Sequence, residues 1–145
     1  MKIKIIKATA KYSKKISSLG KKTKELQIDD SKNQYYSAIS VERAIKNKDN
    51  IFLIALADNK FAGFILANYH SYFRELYLSD LVVDEKFRGN DIATNLFSAL
   101  KKESNKKDIG WSWGLVQEEN TRMQKILEKY GFIKGKKFYF YYKNS

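Results

Sequence analysis

Leu78-Ser79-Asp80-Leu81-Val82-Val83-Asp84-Glu85-Lys86-Phe87-Arg88-Gly89-Asn90-Asp91-Ile92-Ala93-Thr94-Asn95-Leu96-Phe97 reads as strand, short loop and helix start. The first part is apolar and β-branched toward its end. In the second part Ile92, Leu96 and Leu100 recur at i, i+4 and i+8 beside Ala93 and Phe97, which is one face of a helix. Arg88-Gly89-Asn90 lies between them. A glycine turn that opens a helix presents free backbone N–H groups beside the positive end of the helix dipole, and such a site can hold a phosphate. The Arg88 guanidinium can pair with phosphate oxygens.

Val83-x-x-x-x-Arg88-Gly89-x-x-Ile92-Ala93 resembles the acetyl-CoA pyrophosphate loop of the GCN5-related N-acetyltransferase (GNAT) family. The family pattern, Gln/Arg-x-x-Gly-x-Gly/Ala, maps here to Arg88-x-x-Asp91-x-Ala93. The resemblance implies that Arg88 and the N–H groups of Gly89, Asn90, Asp91, Ile92, Ala93 and Thr94 hold the pyrophosphate of acetyl-CoA. Asp91 stands where the family has glycine. It suits a first helical turn, worth about 0.3–1 kcal/mol, and it brings a negative charge toward the pyrophosphate.

With 145 residues the chain can bury one sizeable core and not two. Ten Tyr, nine Phe and two Trp argue against disorder. The absence of cysteine excludes disulfides, a thiol nucleophile and Cys-based zinc sites, and one histidine excludes a multi-His metal site. No apolar run is long enough for a membrane span. Met1-Lys2-Ile3-Lys4-Ile5-Ile6-Lys7 alternates charge and Ile as a strand does, unlike a signal peptide. A cytoplasmic protein without membrane contact is expected.

The net charge of +12 is uneven: +8 over residues 1–50, −2 over 51–100 and +6 over 101–145. A basic field can attract CoA, nucleic acid or acidic lipid. A Lys-, Asn-, Ile- and Tyr-rich composition throughout accounts for it more simply, so a nucleic-acid partner is disfavoured.

Taken in order, residues 2–7 read as a strand, 10–20 as a helix, 27–33 as a loop and 35–48 as a second helix with Ile39, Val41, Ala44 and Ile45 on its apolar stripe. Residues 51–57 form a continuous apolar run, as in a strand buried on both faces. Asp58-Asn59-Lys60 is a turn, and 61–69 returns as a hairpin arm. Gly63 within that arm suggests a bulge or a close backbone approach, and Gly63-Phe64 resembles the "GF" of the family's third strand. His70 to Arg74 is a turn in which His70 reads as a surface residue. Residues 75–83 are the fourth strand, and alternation puts Leu76, Leu78, Asp80 and Val82 on one face. A carboxylate among apolar neighbours must find donors or raise its pKa. The following helix runs to about Ser104, and 109–116 is a fifth strand carrying Trp111 and Trp113. Thr121 with Gln124 fits a capping box for a last helix that Gly131 stops. From Phe132 a final strand alternates Phe138, Phe140 and Tyr142 against Tyr139 and Tyr141; its exposed edge could pair with another copy as a homodimer.

The order β-α-α-β-β-β-α-β-α-β is an α/β arrangement with helices on both faces of a mixed sheet. The resemblance implies the GNAT fold in one domain, residues 1–145: a mostly antiparallel sheet of six to seven strands, the fourth and fifth splayed. Pantetheine inserts between those two, which implicates the main chain of Leu81 and Val83. Asn120-x-x-Met123-x-x-Ile126-Leu127-Glu128-Lys129-Tyr130-Gly131-Phe132 is similar to a second family signature. Asn120 caps helices well, and the resemblance adds a pantetheine contact.

The resemblance implies transfer of an acetyl group from acetyl-CoA to an amine. That reaction needs an amine without its extra proton, a donor for the developing oxyanion and close positioning of the reactants. The position of the family's Tyr acid is Leu127, and that of a carboxylate used by some members is Leu115. Asp80 is the first candidate for base and Tyr130 the candidate acid, with Glu118 and Tyr77 behind them. The acceptor is expected over the first two helices, flanked by Tyr35, Tyr36, Tyr72 and Trp113. A catalytically weak acyl-CoA sensor or scaffold of the same fold is the alternative.

Overall fold

The computed structural model describes residues 1–29 and 33–145. The middle of the expected 27–33 loop, residues 30–32, lies outside the described residues. The elements are β1 (Ile3–Lys7), α1 (Ser13–Lys22), α2 (Ala38–Lys46), β2 (Asn50–Ala57), β3 (Lys60–His70), β4 (Glu75–Val83), α3 (Ile92–Ser104), β5 (Trp111–Gly114) and α4 (Thr121–Lys129). Among the described residues one sheet has the order β1-β2-β3-β4-β5. The first three pairings are antiparallel and β4–β5 is parallel.

The sheet is thus mixed, as expected, but it has five strands and not six to seven. The expected final strand does not form: residues 132–145 carry no strand, and Phe138 to Tyr142 are exposed. Alternation alone does not make a strand; it needs a ladder partner.

β2 is buried along nearly its whole length because helices cover both sheet faces. Ile51, Leu53, Ala55 and Ala57 point toward α3 and α4 with Leu96, Phe97 and Leu127. Phe52, Ile54 and Leu56 point toward α1 and α2 with Ile16, Leu19 and Val41. The second helix is shorter than its periodicity suggested: Ser37 caps it by accepting from the Ser40 N–H at 3.2 Å, and Ile39 is exposed.

The β2–β3 hairpin closes in two residues, Asp58 and Asn59, both at positive φ, the geometry that follows strand twist. Ala62 is an extra residue opposite Ala55 and Leu56. Gly63 next to it faces Val83 across β3–β4, and a Cβ there would stand 2.5 Å from the Val82 carbonyl oxygen.

A second irregularity decides which way Asp80 faces. Leu66 pairs with Asp80 and Ala67 with Leu78, so Ser79 is an extra residue in β4. Strict alternation fails at this bulge. Leu76 and Leu78 belong to the α3/α4 core with Leu81 and Val83, whereas Val82 belongs to the α1/α2 core. Asp80, opposite Leu66, faces α1/α2 as well, rather than sharing a face with Leu76 and Leu78.

β5 pairs with β4 only from Glu75↔Trp111 to Leu78↔Gly114, and it is shorter than the expected 109–116. Beyond Gly114 the chain leaves, and β4 runs on to Val83 without a neighbour on that side. The two strands are splayed. The last helix is capped by Asn120, whose side chain accepts from the Met123 N–H at 3.1 Å, and not by Thr121. Gln124 closes no capping box: its amide donates to the carbonyls of Gln117 and Glu118. At the other end Gly131 has φ 88°, and the Phe132 N–H returns to the Leu127 carbonyl, a Schellman stop.

The close approach at Gly63 carries a measurable consequence. Gly63→Ala should destabilise the protein by about 1–3 kcal/mol, read as a lower urea midpoint at unchanged m-value.

Candidate active site

The turn between β4 and α3 is built by local bonds. The Asp84 side chain accepts from the Lys86 N–H at 3.2 Å, and the Asn90 amide donates to the Phe87 carbonyl at 2.9 Å. Gly89 has φ 85° and Asp91 φ 59°. Asp91 therefore occupies the left-handed conformation that glycine adopts freely and that Asp tolerates better than most side chains. Its side chain caps nothing, and the first helical bond runs from the Asn95 N–H to the Asp91 carbonyl. The N–H groups of Ile92, Ala93 and Thr94 precede that bond and have no helical acceptor.

A cavity of about 380 Å³ lies against this turn, walled by Leu81 to Val83, Arg88, Gly89, Asp91 to Thr94 and, from α4, Asn120, Met123 and Ile126. Asn90 is exposed and not in its wall. A second cavity, about 50 Å³, lies in the fork between β4 and the chain leaving β5; Ser79, Asp80, Leu115 and Leu127 line it. Both share Glu25, Leu81, Asn120 and Met123. The Asp84 N–H bonds the Ala62 carbonyl across β3–β4. Alternation then turns the main-chain groups of Leu81 and Val83 away from β3, into the fork.

Arg88 stands in the first cavity, but it is not free. Its Nη2 donates to Glu25 Oε1 at 3.2 Å and its Nε to the Val83 carbonyl at 3.4 Å. Glu25 comes from the 3-10 turn Lys24–Leu26 that follows α1. The Gln117 amide ties the same segment to the far side of the fork by donating to the Gln27 carbonyl at 2.8 Å. Glu25 and Gln117 carry no local sequence signal, because their partners are 63 and 90 residues away.

Asp80 is buried, 8 % exposed. Its Oδ2 accepts from the Tyr35 hydroxyl at 3.3 Å and the Ser79 hydroxyl at 3.2 Å. Burial raises its pKa to about 6, against the pull of those two donors. Burial, and then the charge of Asp80, push the Tyr35 phenol up, so Tyr35 stays a donor. Gly20 makes room for the Tyr35 ring: a Cβ there would lie 2.1 Å from it. That contact accounts for a glycine inside α1, where it costs roughly 0.5–1 kcal/mol of helix stability.

The remaining expected residues separate. Tyr130 packs its ring on Phe97 at 4.5 Å and lines neither cavity. Leu127 is buried at the fork. Glu118 is exposed and paired with Lys137 at 2.8 Å. The Tyr77 ring meets Trp113 at a tilt, 4.5 Å between centroids, and Trp113 stacks on Trp111 at 6.2 Å. Tyr36 is exposed beside Tyr35. Tyr72 stacks on His70, whose Nδ1 lies 2.9 Å from a Glu75 carboxylate that also accepts from the Trp113 indole N–H. No helix among the described residues is long and apolar enough to cross a membrane.

The sequence profile of the acetyltransferase (GNAT) domain family matches residues 19–139. No curated protein matches the chain. Among solved structures, AAC(6')-Iy in complex with the bisubstrate analogue CoA-S-monomethyl-acetylneamine is 20% identical, with TM-score 0.76 and full coverage of both chains. PaiA N-acetyltransferase from Thermoplasma acidophilum, in complex with coenzyme A, is 21% identical, with TM-score 0.70 over 92% of this chain and 91% of that one. Ribosomal-protein-alanine N-acetyltransferase from Brucella melitensis biovar Abortus 2308 is 13% identical, with TM-score 0.73 over 97% and 99%.

The titration of Asp80 has a stability signature. Its ordinary pKa of 3.8 is raised on folding. Well below pH 3.8 the carboxyl is protonated in both states and contributes no pH dependence. Between pH 4 and 6 the folded state binds more protons than the unfolded one, so its contribution falls as pH rises, by up to about 3 kcal/mol, and is level above pH 6. Asp80→Asn should thus be more stable than the wild type at pH 8 and gain little at pH 4, compared by urea unfolding at the two pH values.

Proposed function

Because the chain belongs to the acetyltransferase (GNAT) domain family, we propose that it transfers an acetyl group from acetyl-CoA to a primary amine by direct attack in a ternary complex. One observation carries this reading: a buried carboxylate, Asp80, stands in the fork between β4 and β5, and the cavity beside it continues to the open N–H groups of α3. The residues present suit an anionic, elongated cosubstrate. Donors that suit phosphate oxygens gather at one end: the α3 N–H groups and Arg88. The splayed strands offer main-chain groups to an extended arm.

Bound acetyl-CoA supplies the acetyl group as a thioester. In this reading Arg88 and the N–H groups of residues 89–94 hold its pyrophosphate, and Asn120 steadies the pantetheine. The main-chain groups of Leu81 and Val83 hold the same arm and polarise the carbonyl. Asp80, ionised above about pH 6, takes the proton that an ammonium acceptor must lose. Tyr35 and Ser79 aim its carboxylate. Glu25 is committed to Arg88, and Leu127 cannot donate. Asp80 passes that first proton to solvent; the attacking nitrogen sheds a second one as the C–S bond breaks, and this second proton goes to the departing sulfur, leaving the amide and the CoA thiol. Tyr130 takes no part in this scheme.

The acceptor enters from the α1/α2 side, past Tyr36, Tyr77 and Trp113. The structural neighbours are named for aminoglycosides and for a ribosomal-protein alanine; for this chain an amine with an apolar or aromatic-compatible body fits the aromatic wall.

Calorimetric titration should show binding of both acetyl-CoA and free CoA, followed by thiol release with members of an amine panel. Binding without turnover on any amine would favour the sensor reading; no binding would remove both. Arg88→Gln should weaken CoA binding about tenfold or more at little change in melting temperature. Glu25→Gln, which releases the guanidinium, and Asp91→Gly, which removes a charge from the cavity wall, should each tighten it. With an active amine, kcat/KM should climb as pH rises through about 6, and Asp80→Asn should lose that limb together with most of the activity.

A further inference from the structure

The two cavities meet at Leu81, Asn120 and Met123, and the larger one begins at the α3 turn. A cosubstrate whose phosphates lie at that turn therefore carries its thioester toward the smaller cavity, in the fork. One side of that smaller cavity is hydrocarbon. Leu78, Leu81, Val116, Met123 and Leu127 all belong to the α3/α4 core, and Leu115 stands exposed at the rim. Gly114 keeps this side open: a Cβ there would point at Leu78, 3.2 Å from its carbonyl oxygen and 3.4 Å from its Cβ. Asp80 reaches the space from the opposite, α1/α2 side. The polar side chains around the cavity are already engaged. Glu25 holds Arg88, Gln117 holds the Gln27 carbonyl, Asn120 caps α4, and Ser79 donates to Asp80.

We propose, on the premise that the chain is a CoA-dependent transferase, that the smaller cavity is an acyl-chain pocket and that the preferred donor carries propionyl or butyryl rather than acetyl. The volume fits. A space of about 50 Å³ holds roughly three to five water-sized groups at ~10–15 Å³ each, and an acetyl methyl fills one of them. With acetyl alone the leucine walls face a gap and lose contacts, while a water placed there finds few open polar partners. Each further methylene that is fully buried instead raises affinity about fourfold. Leu127, buried and without a polar atom, closes the pocket from α4 and sets the chain length. The amine reaches the thioester carbonyl from the Asp80 side and the acyl tail lies on the other, so neither excludes the other. The tail takes no part in the bonds made and broken. Nitrogen still bonds the acyl carbon as the C–S bond breaks, with one proton leaving through Asp80 and one on the sulfur.

Calorimetric titration of the full chain with free CoA and with acetyl-, propionyl-, butyryl- and octanoyl-CoA reads the pocket without turnover. Kd should fall about fourfold per methylene from acetyl to butyryl. The heat capacity of binding should become more negative at each step, and octanoyl-CoA should lose the gain. Leu127→Ala should move the tightest binder to a longer chain, and Leu127→Phe should return it to acetyl. Leu115→Trp narrows the same space from an exposed position, so it tests the pocket even where a Leu127 variant does not fold. It should weaken butyryl-CoA about fourfold or more relative to acetyl-CoA. Free CoA separates this pocket from its premise: if free CoA does not bind, the transferase reading and the pocket both fall. A wild type that binds CoA and acetyl-CoA but gains nothing from longer chains overturns the pocket alone. A butyryl preference that the folded variants leave unmoved overturns it equally.

Discussion

A β-strand cannot place neighbouring residues on one face unless its ladder is interrupted, and the extra residue Ser79 is that interruption. Before it, Leu76 and Leu78 anchor β4 in the α3/α4 core; after it, Leu81 and Val83 do so again, with Val82 and Asp80 turned to the opposite layer. One inserted residue thus lets β4 stay packed along its whole length while Asp80 enters the fork. β5 follows β4 only as far as Leu78, the residue before the bulge. Bulge, fork and carboxylate are consequences of the same local geometry.

Holding a carboxylate there is destabilising unless donors reach it. Tyr35 does so from the segment before α2, and its ring fits because Gly20 has no side chain. A helix glycine, a buried phenol and a strand carboxylate from three parts of the chain form one unit. The two donors do not fully offset desolvation, so the pKa of Asp80 is raised to about 6. Structural stability alone disfavours such a shift, because the folded protein must hold the charge away from water.

The segment Thr23 to Gln27 links the two ends of the site. Glu25 holds Arg88, while Gln117 holds the segment's carbonyls from beyond the fork. An anion drawn to Arg88 competes with Glu25 for the same guanidinium, and Glu25 belongs to the segment joining α1 to α2. The overall charge of +12 says little here, because the cavity walls carry Glu25, Asp80 and Asp91 against Arg88 and Arg122.

Patterns that act over a few residues were determined by the sequence alone. The apolar run of β2, the Asp58-Asn59 turn, the α3 start at Arg88-Gly89, the Gly131 stop and the candidate residues Arg88, Asp80 and Asn120 are legible because periodicity, turn chemistry and motif spacing are local properties. Tertiary structure decided what depends on partners remote in the chain. It turned Asp80 to the α1/α2 face through a bulge that no residue type announces. It paired Arg88 with Glu25, joined Tyr35 to Asp80 across Gly20, and set Tyr130 against Phe97 away from the fork. It also left the alternating aromatics after Phe132 without a strand, because a β-pattern states a propensity and only a neighbouring ladder satisfies the backbone N–H and carbonyl groups.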